Sequence, residues 1–149
     1  TMLGGMDALI TSRYESIAVP KDGVLDFLER MRRQGVKMAI ATLTARRHAE
    51  KALLDRDMMQ YFEFMLTIED IGVSKREPAI YLAAAERLGL APADCMVFED
   101  APYAGVTAHR AGFQLCGLAE PAYAAGEAEL RSVSDVFIEH SYSELDGKL

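Results

Sequence analysis

Residues 95–100 decide the fold class, and they read Cys-Met-Val-Phe-Glu-Asp. Four consecutive apolar residues that end in two acidic ones are typical of a short strand buried on both faces, as in a parallel sheet. After residue 20 such runs alternate with helical patterns. This alternation predicts an α/β fold in three layers, with helices on both faces of a parallel sheet and right-handed crossovers.

The helical patterns have recognisable start and stop signals. The first helix is predicted from the apolar stripe within residues 24–31 and ends before Gly35, and another starts at Pro78 and is capped by Gly89. Further helices are predicted near residues 45–56, up to Ala111 and within 121–131. Strands are predicted at residues 36–41, 64–67, 95–98, 113–116 and 136–138.

Composition narrows the possible functions. The chain has 149 residues, is 50% hydrophobic and carries a formal net charge of -7, which suits one compact acidic domain. That charge disfavours a nucleic-acid or membrane partner. Cys95 and Cys116 lie in apolar runs and are interpreted as reduced core residues, which with the lack of a membrane-spanning stretch predicts a cytoplasmic protein.

Three polar clusters follow predicted strands or lie just beyond them. They are Thr42 with Thr44, Lys75 after a loop, and Glu99 with Asp100. Because ligands of parallel α/β sheets bind beyond the carboxyl ends of the strands, these clusters are expected to converge at one edge. This convergence is the strongest functional signal in the pattern.

The acidic pair has two interpretations. Glu99 and Asp100 can hold a hard cation such as Mg²⁺, which prefers oxygen ligands. Alternatively, Asp100 can cap the helix that starts at Pro102. The pattern alone leaves both open.

The remaining polar candidates can bind an anion such as a phosphate group. The Thr42 hydroxyl and the backbone amides of Leu43 and Thr44, at a predicted helix start, can bind a phosphate, although Thr42 can equally be an N-cap. Lys75 can supply positive charge to a phosphoryl group, although a lone lysine in a loop is more often a surface residue. Arg46 lies four residues past Thr42 and is a further candidate for substrate contact.

Taken together, these stretches resemble the haloacid dehalogenase superfamily, in particular its β-phosphoglucomutase and phosphoglycolate-phosphatase-like branch. Residues 38–42 resemble the second motif of the family, residues 74–81 the third and residues 97–102 the fourth. The resemblance implies a Rossmann-like core. It also implies that Thr42 and Lys75 are catalytic residues that bind the phosphoryl group, and that Glu99 and Asp100 lie near Mg²⁺.

This sequence departs from the family at the first motif. An Asp-x-Asp pair should end a strand in the middle of the sheet, where its first Asp is the nucleophile and its second the acid/base. No such pair follows an apolar strand here, since Asp55-Arg56-Asp57 has the spacing but ends a helix. The core is therefore expected to be incomplete at its N-terminal strand. Residues 1–19 are interpreted as a cap-domain remnant or linker, with 6–18 as its last helix, and residues 20–149 as the core.

The function implied by the resemblance is a Mg²⁺-dependent phosphatase of small phosphorylated metabolites that works through an aspartyl-phosphate. The truncated chain itself is predicted to be inactive. The alternatives are a phosphomutase of the same family and a non-catalytic remnant that binds an anion or a protein. The missing strand also suggests a homo-oligomer or a strand-swapped dimer.

Overall fold

The computed structural model describes residues 6–11, 23–55 and 57–149 and contains one six-stranded parallel sheet. The strand order is β3-β2-β1-β4-β5-β6, and each neighbouring pair is parallel. The predicted α/β fold class is confirmed. The strands are β1 (Ala8–Thr11), β2 (Lys37–Thr42), β3 (Phe64–Thr67), β4 (Cys95–Glu99), β5 (Gln114–Leu118) and β6 (Val136–Ile138).

Helices cover both faces of the sheet. The helices are α1 (Val24–Arg33), α2 (Arg46–Asp55), α3 (Ile68–Ile71), α4 (Ala79–Leu88), α5 (Pro102–Arg110) and α6 (Glu127–Val133). One core joins α1, α2 and the C-terminal turn Tyr142–Leu145 to the sheet, and a second core joins α4, α5 and α6 to its other face. The three-layer arrangement therefore follows from strands that are apolar on both sides.

Strand β1 fills the centre of the sheet, so the expectation of an incomplete core is wrong. Its residues pair with β2 on one side and with β4 on the other, and Thr11 lies opposite both Ile40 and Phe98. Leu9 enters one core while Ala8 and Ile10 enter the other. The helix expected over residues 6–18 is therefore wrong at Ala8–Thr11. A three-residue apolar run cannot be assigned by period, and sheet pairing decided it.

This strand bears on two further expectations without testing them. A strand-swapped dimer is expected if β2 and β4 lack a shared neighbour. In this structure β1 is that neighbour. Only residues 12–23 connect β1 to α1, which is too short for a domain, since domains have at least about 50 residues. The division of the chain at residue 19, the cap remnant before it and the oligomeric state stay predictions, and residues 12–22 lie outside the described ranges.

The remaining elements follow the predicted pattern closely. Gly89 ends α4 with a φ of 76°, in the left-handed region that favours glycine. Leu25 is the exception in the stripe of α1, because it is 50% exposed. Both cysteines are buried free thiols, and burial raises the pKa of Cys95 to about 11. No helix in the described ranges is long and apolar enough to cross a membrane.

Candidate functional site

The carboxyl ends of the central strands bring the predicted clusters to one edge. Thr42 is the last residue of β2 and Glu99 is the last residue of β4, with β1 between them. Because Thr11 lies opposite Ile40 and Phe98, Thr42 and Asp100 each stand two residues beyond its level. Their backbones are therefore roughly 10 Å apart, which is two strand spacings. Thr11, Thr42, Glu99 and Asp100 are all buried.

Lys75 reaches this edge from the loop before α4 and is only 3% exposed. Its Nζ donates to Glu99 Oε2 at 3.0 Å, and both side chains are almost completely buried. The interpretation of Lys75 as a solvated surface lysine is therefore wrong. A buried ammonium needs such a carboxylate, because a charge removed from water without a partner is strongly destabilising.

The Glu99 carboxylate accepts hydrogen bonds on both of its oxygens. Its Oε2 accepts from Lys75 Nζ and, at 2.7 Å, from the hydroxyl of Tyr81. Its Oε1 accepts from the backbone amides of Asp100 at 3.2 Å and Ala101 at 3.4 Å. A carboxylate offers about four lone-pair positions, so these donors engage both oxygens.

Tyr81 is the member of this cluster that sequence reasoning missed. It is 1% exposed, and burial, followed by the charge of Glu99, raises the pKa of its phenol well above the usual value. The phenol therefore stays protonated and donates to Glu99. Its ring centroid also lies 5.7 Å from Lys75 Nζ. The signal was a tyrosine among the apolar residues of a helix, since a buried tyrosine hydroxyl usually has a hydrogen-bond partner.

The segment after β2 forms a turn before the helix begins. Thr42 Oγ1 accepts from the amide of Thr44 at 3.1 Å, and α2 begins only at Arg46. Thr42 is therefore too early to be the N-cap of α2. This local turn holds the hydroxyl at the strand end and occupies the Thr44 amide, while Leu43 lies between the two at intermediate exposure.

Arg46 directs its side chain toward the outer part of the sheet. Its Nη2 donates to Met65 O at 2.9 Å and to Asp70 Oδ2 at 2.6 Å, and its Nη1 lies 3.6 Å from Glu50. A backbone hydrogen bond from Thr67, followed by the nearby guanidinium, lowers the pKa of Asp70. The structure thus places Arg46 in an acidic cluster beside β3 and does not bring it to Lys75.

The acidic pair after β4 is divided in role. Helix α5 has Ala101 at its N-cap and no side-chain cap among the described residues, so the interpretation of Asp100 as the cap is wrong. Glu99 is engaged by Lys75 and Tyr81. Within residues 6–11, 23–55 and 57–149, no three His, Cys, Asp or Glu side chains lie close enough together to hold a metal ion.

The carboxyl end of β1, unlike that of β4, carries no carboxylate. After Asp7, which lies at the amino end of the strand, the sequence contains no carboxylate until Glu15. The Asp7 amide donates to Asp94 O at 2.7 Å, at the opposite edge from Glu99. Asp55 is the last residue of α2, as the sequence indicated. The strand expected to carry the nucleophile is thus present and ends in Thr11.

Comparison with known proteins identifies the family. The profile of the haloacid dehalogenase-like hydrolases matches residues 7–112, which is more than half of the chain. The chain belongs to the haloacid dehalogenase-like hydrolase family. The match includes β1 as well as the Lys75 and Glu99 cluster, and the predicted resemblance is confirmed.

Relatives within the family include named phosphatases. The chain is 33% identical to validoxylamine A 7'-phosphate phosphatase of Streptomyces hygroscopicus subsp. limoneus, over 68% of this chain and 47% of that protein. It is 35% identical to a phosphorylated carbohydrates phosphatase of Thermotoga maritima, with the same two coverages. The chain thus spans about half the length of the curated relatives it matches.

A solved structure supports the same branch. The crystal structure of a provisionally assigned β-phosphoglucomutase from Thermotoga maritima is 30% identical to this chain and has a TM-score of 0.70. The alignment covers 78% of this chain and 54% of that one. The haloacid dehalogenase core fold is therefore shown by structure as well as by sequence.

Proposed function

We propose that this chain binds a small phosphorylated molecule at the carboxyl edge of its sheet and does not hydrolyse it through an aspartyl-phosphate. The family and its phosphatase relatives support the ligand class. One observation carries the second half of the proposal. Strand β1 completes the sheet but ends in Thr11, with no carboxylate before Glu15 to act as the nucleophile.

The position of β1 also argues against a replacement nucleophile strand. Four residues of β1 pair with β2 and four pair with β4. A strand from elsewhere in a longer protein, or from a second copy, can reach that central position only by displacing β1. Displacement would remove Leu9 and Ile10 from the two cores, where both are almost fully buried. An incoming strand would therefore have to replace both the ladder and the apolar packing that β1 supplies.

The binding role rests on a neutral donor and a cation. The oxygen of the Thr42 hydroxyl accepts from the Thr44 amide, and its O–H can still donate to a phosphate oxygen. An ammonium group has three donors, and Glu99 takes one from Lys75 in this structure. The amide of Leu43 is a third donor at the same strand end. Arg46 would first have to leave Asp70 to take part.

Mg²⁺ is the metal implied by the family, and the residues fit it only in part. The ion usually takes one or two carboxylates together with phosphate oxygens and water. Glu99 offers its oxygens to Lys75, Tyr81 and two backbone amides instead. Asp100 is the remaining carboxylate of the predicted pair.

The test combines turnover with binding. The purified 149-residue chain is incubated with a panel of sugar phosphates and other small phosphate monoesters in Mg²⁺, and released phosphate is measured. The same compounds are titrated into the chain by calorimetry. We expect binding without release of phosphate above the protein-free rate. Mg²⁺-dependent turnover that copurifies with the chain would contradict the absence of hydrolysis, and no binding of any ester would contradict the binding role.

A threonine pair provides a control for the location. Thr42→Val removes the hydroxyl at the end of β2, and Thr107→Val removes a hydroxyl that donates to Tyr103 O within α5. Thr42→Val is expected to weaken ester binding by roughly tenfold, which corresponds to one hydrogen bond to a charged ligand. Thr107→Val should leave the affinity unchanged. Equal effects of the two substitutions would place the ester elsewhere.

A further inference from the structure

We propose that the phosphate group binds at this edge without a divalent cation, an inference that rests on the proposed binding function. Two properties of this edge matter: the number of carboxylates available to a metal ion, and the net charge that a phosphate would meet. An Asp-x-Asp pair at the same edge would add carboxylates for a metal ion and negative charge that repels a phosphate.

The first step is the state of Glu99. Its two oxygens accept from Lys75, Tyr81 and two backbone amides, and the side chain is 2% exposed. A metal ion that bound Oε2 would have to displace the ammonium 3.0 Å away or share the oxygen with it. Either arrangement brings two cations together in a water-poor site, which is strongly unfavourable.

The second step is the ligand count. Asp100 is one carboxylate, and the end of β1 adds none because Thr11 stands there. No group of three His, Cys, Asp or Glu side chains comes together anywhere in the part of the chain that the structure describes. Mg²⁺ usually takes one or two carboxylates with phosphate oxygens and water and loses its hydration shell reluctantly, so one carboxylate is the lower limit for such a site.

The third step is the charge that the phosphate meets. In an edge with an Asp-x-Asp pair, a cation offsets the repulsion between those carboxylates and the phosphate. Here the pair is missing, and Lys75 neutralises Glu99 across 3.0 Å. Asp100 is the other acidic residue of this cluster. A phosphate can therefore approach Lys75 and Thr42 without a bridging metal ion.

The experiment measures the affinity for inorganic phosphate and for one phosphate monoester by calorimetry, in EDTA and in MgCl₂ at matched ionic strength. We expect dissociation constants that agree within about twofold between the two conditions, which is less than 0.5 kcal/mol. Binding that is at least about tenfold tighter in Mg²⁺ would overturn this inference and leave the proposed function intact. An absence of binding in both conditions would overturn the proposed function itself.

Asp100→Asn separates the two cases by the sign of its effect. Without a metal ion, removal of a negative charge beside the phosphate is expected to tighten binding several-fold. With a metal held by Asp100, the same substitution would weaken binding and abolish any response to Mg²⁺. Unchanged or weaker binding would therefore count against the inference. Asp55→Asn is the matched control, since Asp55 is exposed at the end of α2 and pairs only with Lys51 among the described side chains.

Discussion

The carboxyl ends of β4 and β1 lie side by side, but only β4 carries the acidic residue that the family motif predicts for it. β4 ends in Glu99, which is bound by Lys75 and Tyr81. β1 has the same parallel pairing and the same burial, but it ends in Thr11. The two strands contribute equally to the sheet and unequally to its chemistry.

This difference separates what a strand needs from what a catalytic site needs. A central strand needs a few apolar residues that alternate between the two cores, and Ala8, Leu9 and Ile10 meet that need. An aspartyl-phosphate mechanism needs one particular carboxylate at the strand end. The central strand forms here without a carboxylate at its end, so the fold of the family does not require that residue.

The largest expected effect is at the β4 end. Lys75→Met leaves the buried Glu99 charge without its cation, and we expect the free energy of unfolding to fall by about 3–5 kcal/mol. Urea denaturation followed by circular dichroism measures this. Lys51→Met is the control, because the Lys51–Asp55 pair is largely exposed and is worth at most about 1 kcal/mol. A similar small loss for both variants would show that Lys75 is not buried against Glu99.

A substitution in β1 tests the other side of the comparison. Leu9 is 1% exposed in the central strand, and Leu9→Ala is expected to cost about 2–4 kcal/mol through lost burial and a new cavity. Leu54→Ala is the matched change at a leucine that is 66% exposed, and it should cost less than about 0.5 kcal/mol. Equal midpoints in urea for these two variants would mean that β1 does not occupy the sheet.

A smaller effect is expected from the tyrosine behind the charge pair. Tyr81→Phe keeps the ring and removes the donor to Glu99, which should cost about 1–3 kcal/mol. Because Glu99 then loses the hydrogen bond from Tyr81 beside Lys75, phosphate affinity should also change. Thermal unfolding and calorimetric titration of this variant and of the parent measure both effects.

The smallest effect lies in the turn that packs behind β4. Tyr142 stacks on Phe98, and the Glu144 carboxylate closes this turn by accepting from the amides of Glu139, His140 and Ser141. These hydrogen bonds lower the pKa of Glu144 from 4.5 to about 2. The folded pKa lies below the unfolded one, so the contribution is present above pH 4.5 and is lost as the pH falls toward 2.

Glu144→Gln measures that contribution. The variant should be less stable than the parent at neutral pH by about 1–2 kcal/mol, a value reduced from the full pKa shift because Glu144 is partly solvated. The difference should shrink as the pH is lowered through the window from 4.5 to about 2. Phosphate binding should not respond. A stability difference that is the same at all pH values would show that the carboxylate charge is not responsible.

Much of the site was predictable because its residues stand directly at strand ends. Thr42 and Glu99 close β2 and β4, and the topology of a parallel sheet brings such ends to one edge. The surroundings of Arg46 were not predictable, since its position in the sequence did not reveal that Asp70, at the start of another helix, would bind it. Tyr81 was missed because an apolar helix face hides a hydroxyl whose partner lies far away in the sequence.

The sequence by itself determined the α/β class, the helix ends at glycine and the polar clusters, because period, capping and strand length are local properties. The tertiary structure decided the rest. Residues Ala8–Thr11 became the central strand because β2 and β4 both need a neighbour whose backbone can pair with theirs. The tertiary structure also decided that Lys75 and Tyr81 hold Glu99. A buried carboxylate requires donors, and only the folded chain brings these two within hydrogen-bond distance.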